Sequence, residues 1–132
     1  MAKTIQPFLM FQDGNAEEAI NFYISLFPDS AVTDITRYAA GEQGPAGTVK
    51  LARFTLAGQS VMCIDSPVKH NFSFTPSFSF FVTCESEEEI GRLASTLLEG
   101  GAALMPLDNY GFSKQFAWVN DRYGVSWQMN LD

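Results

Sequence analysis

Cysteine is scarce in this chain, with Cys63 and Cys84 the only two among 132 residues. Both fall inside apolar, strand-like runs, and neither belongs to a CxxC pair. A disulfide or a nucleophile would be the functional reading of such residues, and neither is the expectation here. Two buried thiols in a reducing compartment are expected. Histidine is scarcer still: His70 stands alone, between Lys69 and Asn71 in a polar stretch. An imidazole can act as base or ligand, but an exposed loop histidine is the expectation here. Nothing ties a particular Ser and Asp to it as a catalytic triad. Basic residues are few, eight Lys and Arg against fifteen Asp and Glu, and they form no run. The net charge of −7 argues against a nucleic-acid partner or an anionic membrane surface, both of which require positive charge. No apolar stretch approaches the length of a membrane span. The segment Met1 to Phe11 is too short, and too soon followed by Asp13, to read as a signal peptide. A cytoplasmic protein is expected.

Apolar residues are plentiful, at 46% of the chain, and Phe occurs 12 times. A chain of this length suits one domain, residues 1–132, with a core that needs no staples. Ile5 to Phe11 is a strand-like run that stops at Gln12-Asp13-Gly14, a turn signal. Asn15 with Glu18 forms a capping-box pattern, and Ala16, Ala19, Ile20, Tyr23, Leu26 and Phe27 follow at helical spacing up to Pro28-Asp29. Ala31 to Tyr38, Thr48 to Leu56 and Ser60 to Asp65 read as strands. The loop Gly41 to Gly47 separates the first two and is read as mobile.

The same order then repeats. Ser77 to Cys84 reads as a strand. Ser86 and Glu89 make a second capping box, and Ile90, Leu93, Ala94, Leu97 and Leu98 mark an amphipathic helix closed by Gly100-Gly101. Ala102 to Pro106, Gln115 to Asn120 and Val125 to Leu131 read as three further strands. Gly58-Gln59-Ser60-Val61-Met62 can be laid over Gly124-Val125-Ser126-Trp127-Gln128. The reading is α+β, with two β-α-β-β-β modules, about 1–66 and 77–132, forming one continuous curved mixed sheet with helices on its outer face.

Two stretches carry a family resemblance. Asp13-Gly14-Asn15-Ala16-Glu17-Glu18-Ala19, then Phe22-Tyr23 and Leu26-Phe27-Pro28-Asp29-Ser30, resembles the opening of PhnB-like proteins. Phe116-Ala117-Trp118-Val119-Asn120-Asp121-Arg122-Tyr123-Gly124-Val125-Ser126-Trp127-Gln128 resembles their close. These proteins belong to the vicinal oxygen chelate superfamily, with glyoxalase I, extradiol dioxygenases and bleomycin-resistance proteins. The resemblance implies a glyoxalase-like domain with a cleft formed by the two modules, and a homodimer. Group members often carry the label 3-demethylubiquinone-9 3-methyltransferase. The sequence offers that label no cofactor turn: Gly41 to Gly47 lies between two strands and opens no helix.

Alternation along the strands divides helix-facing from cleft-facing residues. Val125, Trp127, Met129 and Leu131, with Phe78, Phe80 and Val82, are expected under a helix. The cleft candidates are Gln6, Phe8 and Met10; Ser60, Met62 and Ile64; Ser77, Ser79 and Phe81; and Ser126, Gln128 and Asn130. The resemblance puts Gln6, Met62, Gln128 and one of Ser77 or Ser79 at the superfamily's metal positions. Two amides, a thioether and a hydroxyl are weak ligands for hard or borderline divalent ions, so no metal and no cofactor are expected. Glu87, Glu88 and Glu89 open a helix, where carboxylates belong on electrostatic grounds alone, and Asp121 reads as a turn residue. Phe54, Phe112 and Trp118 complete an apolar lining, with Asp108 to Ser113 as a candidate lid. The expected function is binding of a small apolar or aromatic molecule by Gln6, Phe8, Met62, Ser79, Phe81, Trp118 and Gln128. The alternative is an enzyme of the same fold: a metal-dependent lyase, isomerase or dioxygenase, or a methyltransferase.

Overall fold

The computed structural model describes residues 2–132. The chain forms two compact units, residues 1–72 and 73–132, each described here as a module. In module 1, β1 (Phe8–Phe11) leads to α1 (Ala16–Ile24), followed by β2 (Ala31–Arg37), β3 (Val49–Leu56) and β4 (Gln59–Asp65). Module 2 repeats this with β5 (Ser79–Thr83), α2 (Glu87–Leu98), β6 (Ala102–Asp108), β7 (Gln115–Asn120) and β8 (Ser126–Leu131). The strand orders are β1-β4-β3-β2 and β5-β8-β7-β6. In each sheet the first strand runs parallel to the last and the other pairings are antiparallel. The ladders thus form two four-stranded mixed sheets, not one continuous sheet.

Each helix covers one face of its own sheet. Ile20 and Tyr23 of α1 are buried with Leu9, Phe11, Phe54, Val61 and Cys63. Ile90, Leu93 and Leu97 of α2 are buried with Val119, Trp127 and Met129. Burying each large apolar side chain contributes about 1.5–3 kcal/mol. Phe54, expected as cleft lining, is a correction: it pairs with Val61 and is fully buried on the α1 side. Phe78 is another. It precedes β5 and is 54% exposed, while Phe80 reaches Trp127 with ring centroids 4.8 Å apart.

The helix starts differ. Ser86 Oγ accepts the Glu89 N–H at 3.1 Å, and the Glu89 carboxylate accepts the Glu85 N–H at 2.8 Å. Asn15 makes no side-chain cap. Buried Asp65, at the end of β4, replaces it: one carboxylate oxygen accepts the Ala16 N–H at 3.0 Å and the other accepts the Val49 N–H at 2.8 Å. The acidic cap is favourable because N–H groups and helix dipole both present positive charge there. In module 2, buried Asp121 ties down the β7–β8 turn, accepting from the backbone of Tyr123 and Val125 and from the Trp127 indole.

The boundary of module 1 extends past β4 for a visible reason. The Gln12 side chain donates to the Phe72 carbonyl at 2.7 Å and accepts the His70 N–H at 2.6 Å, which holds the stretch after Asp65. Two glycines are dictated by close approach. A Cβ at Gly44 would lie 2.4 Å from the Tyr38 ring, and one at Gly101 would lie 2.0 Å from the Asn120 carbonyl oxygen. The Gly41–Gly47 loop is pinned at Glu42, whose carboxylate accepts from the Ala39 N–H and from Lys50.

Candidate functional site

The faces turned away from the helices carry the residues the sequence singled out. In module 1, Phe8 lies beside Met62 in the parallel ladder, and Arg53 flanks Met62 on the other side. Gln6 precedes β1, yet the pairing continues to it: Pro7 accepts the Met62 N–H, and Ser60 donates to Gln6 Oε1 at 2.6 Å. Gln6, Phe8 and Met62 therefore share one neighbourhood.

The corresponding face of module 2 is richer. Ser79 pairs with Ser126, and Phe81 with Gln128, in the β5–β8 ladder. The hydroxyls of Ser79 and Ser126 are 2.6 Å apart. Ser126 also accepts the Trp118 indole N–H at 2.9 Å, and Ser79 accepts from Gln128 Nε2 at 3.2 Å. Ser79, Phe81, Trp118 and Gln128 are thus brought together, and buried Ser126 is the hub that joins them. The repeat reaches this detail, since Gln6–Ser60 and Ser79–Ser126 occupy equivalent register positions.

Aromatic rings border the module 2 cluster. Phe81 is 60% exposed and lies 6.5 Å from Phe116, centroid to centroid. Phe116 meets Phe112 at 5.1 Å, and Phe112 stacks with Tyr110 at 6.3 Å. The candidate lid, residues 108–113, is folded back on itself: Tyr110 donates to the Pro106 carbonyl, and Asn109 Oδ1 accepts the Gly111 N–H at 2.8 Å. Phe116 was missed in the sequence, and Tyr110 was read only as part of the candidate lid. Alternation gives the signal for Phe116, which shares a strand face with Trp118, while Ala117 and Val119 are buried on the α2 side.

Other candidates resolve simply. His70 is exposed and stacks on Phe72 at 4.9 Å. Its Nε2 lies 3.4 Å from Ser66 Oγ, but that hydroxyl donates to the Val68 carbonyl at 2.7 Å, so its proton is not aimed at the imidazole. Cys63 and Cys84 are free and buried. Burial pushes their thiols up to about 12 and about 11, respectively. Glu89 is committed to its cap, and Glu87 faces Lys114 at 3.5 Å. Arg37 holds the Glu17 carboxyl below its ordinary range, chiefly by hydrogen bonding, at the surface.

The donor chemistry does not fit the metal that the superfamily implies. The positions that the resemblance implies hold Gln6, Met62, Gln128 and one of Ser77 or Ser79, all neutral, and all but Met62 are already hydrogen-bonded within the chain. Among the described residues, no three His, Cys, Asp or Glu side chains converge as a metal group. A methyl-donor cofactor fares no better. The Gly41–Gly47 loop joins β2 to β3, and the start of α1 faces the Asp65 carboxylate instead of a glycine-rich turn.

Comparisons with known proteins agree with this architecture. The model of a family described as 3-demethylubiquinone-9 3-methyltransferase matches residues 3–130. A solved structure described as a putative 3-demethylubiquinone-9 3-methyltransferase, PhnB protein, from Bacillus cereus is 56% identical, with a TM-score of 0.95 over 98% of this chain and 100% of that one. Protein YjdN of Escherichia coli (strain K12) is 26% identical over 140 residues, covering 96% of this chain and 94% of that protein. A glyoxylase/bleomycin resistance protein/dioxygenase domain from Frankia sp. EAN1pec shares the fold, at 16% identity and a TM-score of 0.65 over 99% of this chain and 92% of that one. With its two β-α-β-β-β modules and an end-to-end family match, the chain is PhnB-like and belongs to the 3-demethylubiquinone-9 3-methyltransferase family.

Proposed function

We propose that this protein binds a small apolar or aromatic molecule, without a tightly held metal, on the faces its sheets turn away from their helices. The principal face is that of Ser79, Phe81, Trp118 and Gln128; Gln6, Phe8 and Met62 form its counterpart in module 1. One observation carries the reading: the exposed Phe81 ring stands directly beside an ordered, uncharged polar cluster in module 2. Exposed apolar area bordered by a few fixed polar groups is characteristic of surfaces that bind ligands.

A thermal-shift screen of flat aromatic compounds, followed by calorimetry on the hits, tests this. Hits should lose about tenfold in affinity in Phe81→Ala, as expected for removing one aromatic wall. The reading fails if no compound binds, or if binding is indifferent to both Phe81→Ala and Phe8→Ala. The family description points to an enzyme as the alternative, and the methyl donor itself separates the two, as argued below.

A further inference from the structure

The polar cluster of module 2 has more donors than it uses. Its hydrogens sit on the Trp118 indole, on the Ser79 and Ser126 hydroxyls, and on the Gln128 amide, which carries two. Three bonds link the cluster: indole to Ser126, hydroxyl to hydroxyl, and amide to Ser79. Each bond consumes one hydrogen, so two are left unspent among the described residues. Turning the Gln128 amide over does not change this number. It only moves the surplus from one hydroxyl and one amide hydrogen to both amide hydrogens.

The acceptor side is different. Asn120 stands opposite Ser126 in the β7–β8 ladder, and its Oδ1 is buried with no partner among the described residues. No cationic side chain takes part in the cluster, and Lys114 of the same module faces Glu87 instead. An anion placed here would lose its hydration without gaining a countercharge. A neutral carbonyl would gain the spare donors at far smaller desolvation cost.

We therefore propose that the Ser79–Ser126–Gln128–Trp118 cluster recognises an uncharged carbonyl-type oxygen on an aromatic body, and discriminates against the corresponding carboxylate. This rests on the reading that the module 2 face binds an aromatic molecule, and it names the chemistry selected there. It also assigns Ser126, read from the sequence only as a cleft-facing residue, a positioning role: it holds the Trp118 indole and the Ser79 hydroxyl in place.

Three matched probes test the proposal on the whole chain: naphthalene, 2-naphthamide and 2-naphthoate. Calorimetry gives affinity, and the indole N–H resonance of Trp118 reports location; Trp127, bound to Asp121, serves as the internal control. In the wild-type protein, 2-naphthamide should bind about tenfold more tightly than either other probe. Gln128→Leu removes both amide hydrogens and leaves one spare hydroxyl hydrogen in the cluster, so that preference should fall to about threefold or less. Gln128→Glu provides an isosteric second variant: with both hydroxyls and the indole then engaged, no hydrogen is spare, and the preference should be abolished. Equal or tighter binding of 2-naphthoate overturns the proposal, as does a preference that survives in both variants. Naphthalene binding with no amide preference overturns this inference alone. Failure of every probe to bind or to move the Trp118 resonance overturns the underlying reading as well.

Discussion

Cys63 and Cys84 show how burial alone sets the chemistry of a side chain. Both thiols are held protonated because their thiolates would lie among apolar neighbours. An unfolded thiol ionises near about 8.5, so above that value the unfolded chain binds fewer protons than the folded one. The thiols' contribution is therefore fully present below about pH 8.5 and declines as pH rises toward the folded value of about 12 for Cys63. A thiol reagent at pH 8 should leave both residues unlabelled in the native protein and label both in guanidinium. Native-state labelling at the rate of a free cysteine would contradict their assigned burial. At this scale the sequence was readable wherever strand alternation is strict. Val125, Trp127, Met129 and Leu131 are all buried, with Gln128 and Asn130 on the other face. Phe54 was misassigned because its apolar character was read without its register, and Phe78 because it lies outside the regular strand.

Among the elements, the two helices make a controlled comparison. Ser86 caps α2 through its own hydroxyl, whereas the matching signal at Asn15 is not used, because Asp65 reaches the first N–H of α1 from β4. Ser86→Ala should cost about 1 kcal/mol in urea unfolding, and Asn15→Ala no more than a few tenths. Equal losses would mean that Asn15 caps in solution. Local spacing identifies a capping residue only when no distant group competes for the same N–H, and Asp65 is 49 positions away from Ala16. Strand order was legible because the repeat imposes it twice. Strand ends were less so: β1 starts at Phe8, not Ile5, and β6 continues to Asp108. Bulges between β6 and β7 disrupt the alternation that would have marked that end.

For the whole molecule, family membership and the family's descriptive name part company. A methyltransferase must bind its methyl donor, and a donor present at 100 times its Kd adds about 2.7 kcal/mol of stability. That corresponds to a rise in Tm of roughly 10 °C for a chain of this size. We expect 1 mM S-adenosylmethionine to leave the Tm unchanged, measured by calorimetry. A rise of several degrees, accompanied by methyl transfer to a quinol, would favour the enzyme reading instead. The sequence conveyed the fold almost completely, since apolar period and turn chemistry are properties of the chain alone. The site was only half legible: which polar groups satisfy one another depends on register, and Ser126 became its hub only once β5 and β7 were placed on either side of β8.

Asp65 has an implication beyond folding. The positions of its carboxylate oxygens, between the start of α1 and the start of β3, are ones a phosphate oxygen could otherwise take. A recess of about 620 Å³, bordered by Asp13, Thr48, Ser66 and Lys69, opens beside it. Module 1 thus carries its own carboxylate where the N-terminus of a helix would otherwise favour a bound anion. A substitution that removed this carboxylate would strip the Ala16 and Val49 N–H groups of their acceptor at once, so one side chain sets both the start of α1 and the start of β3.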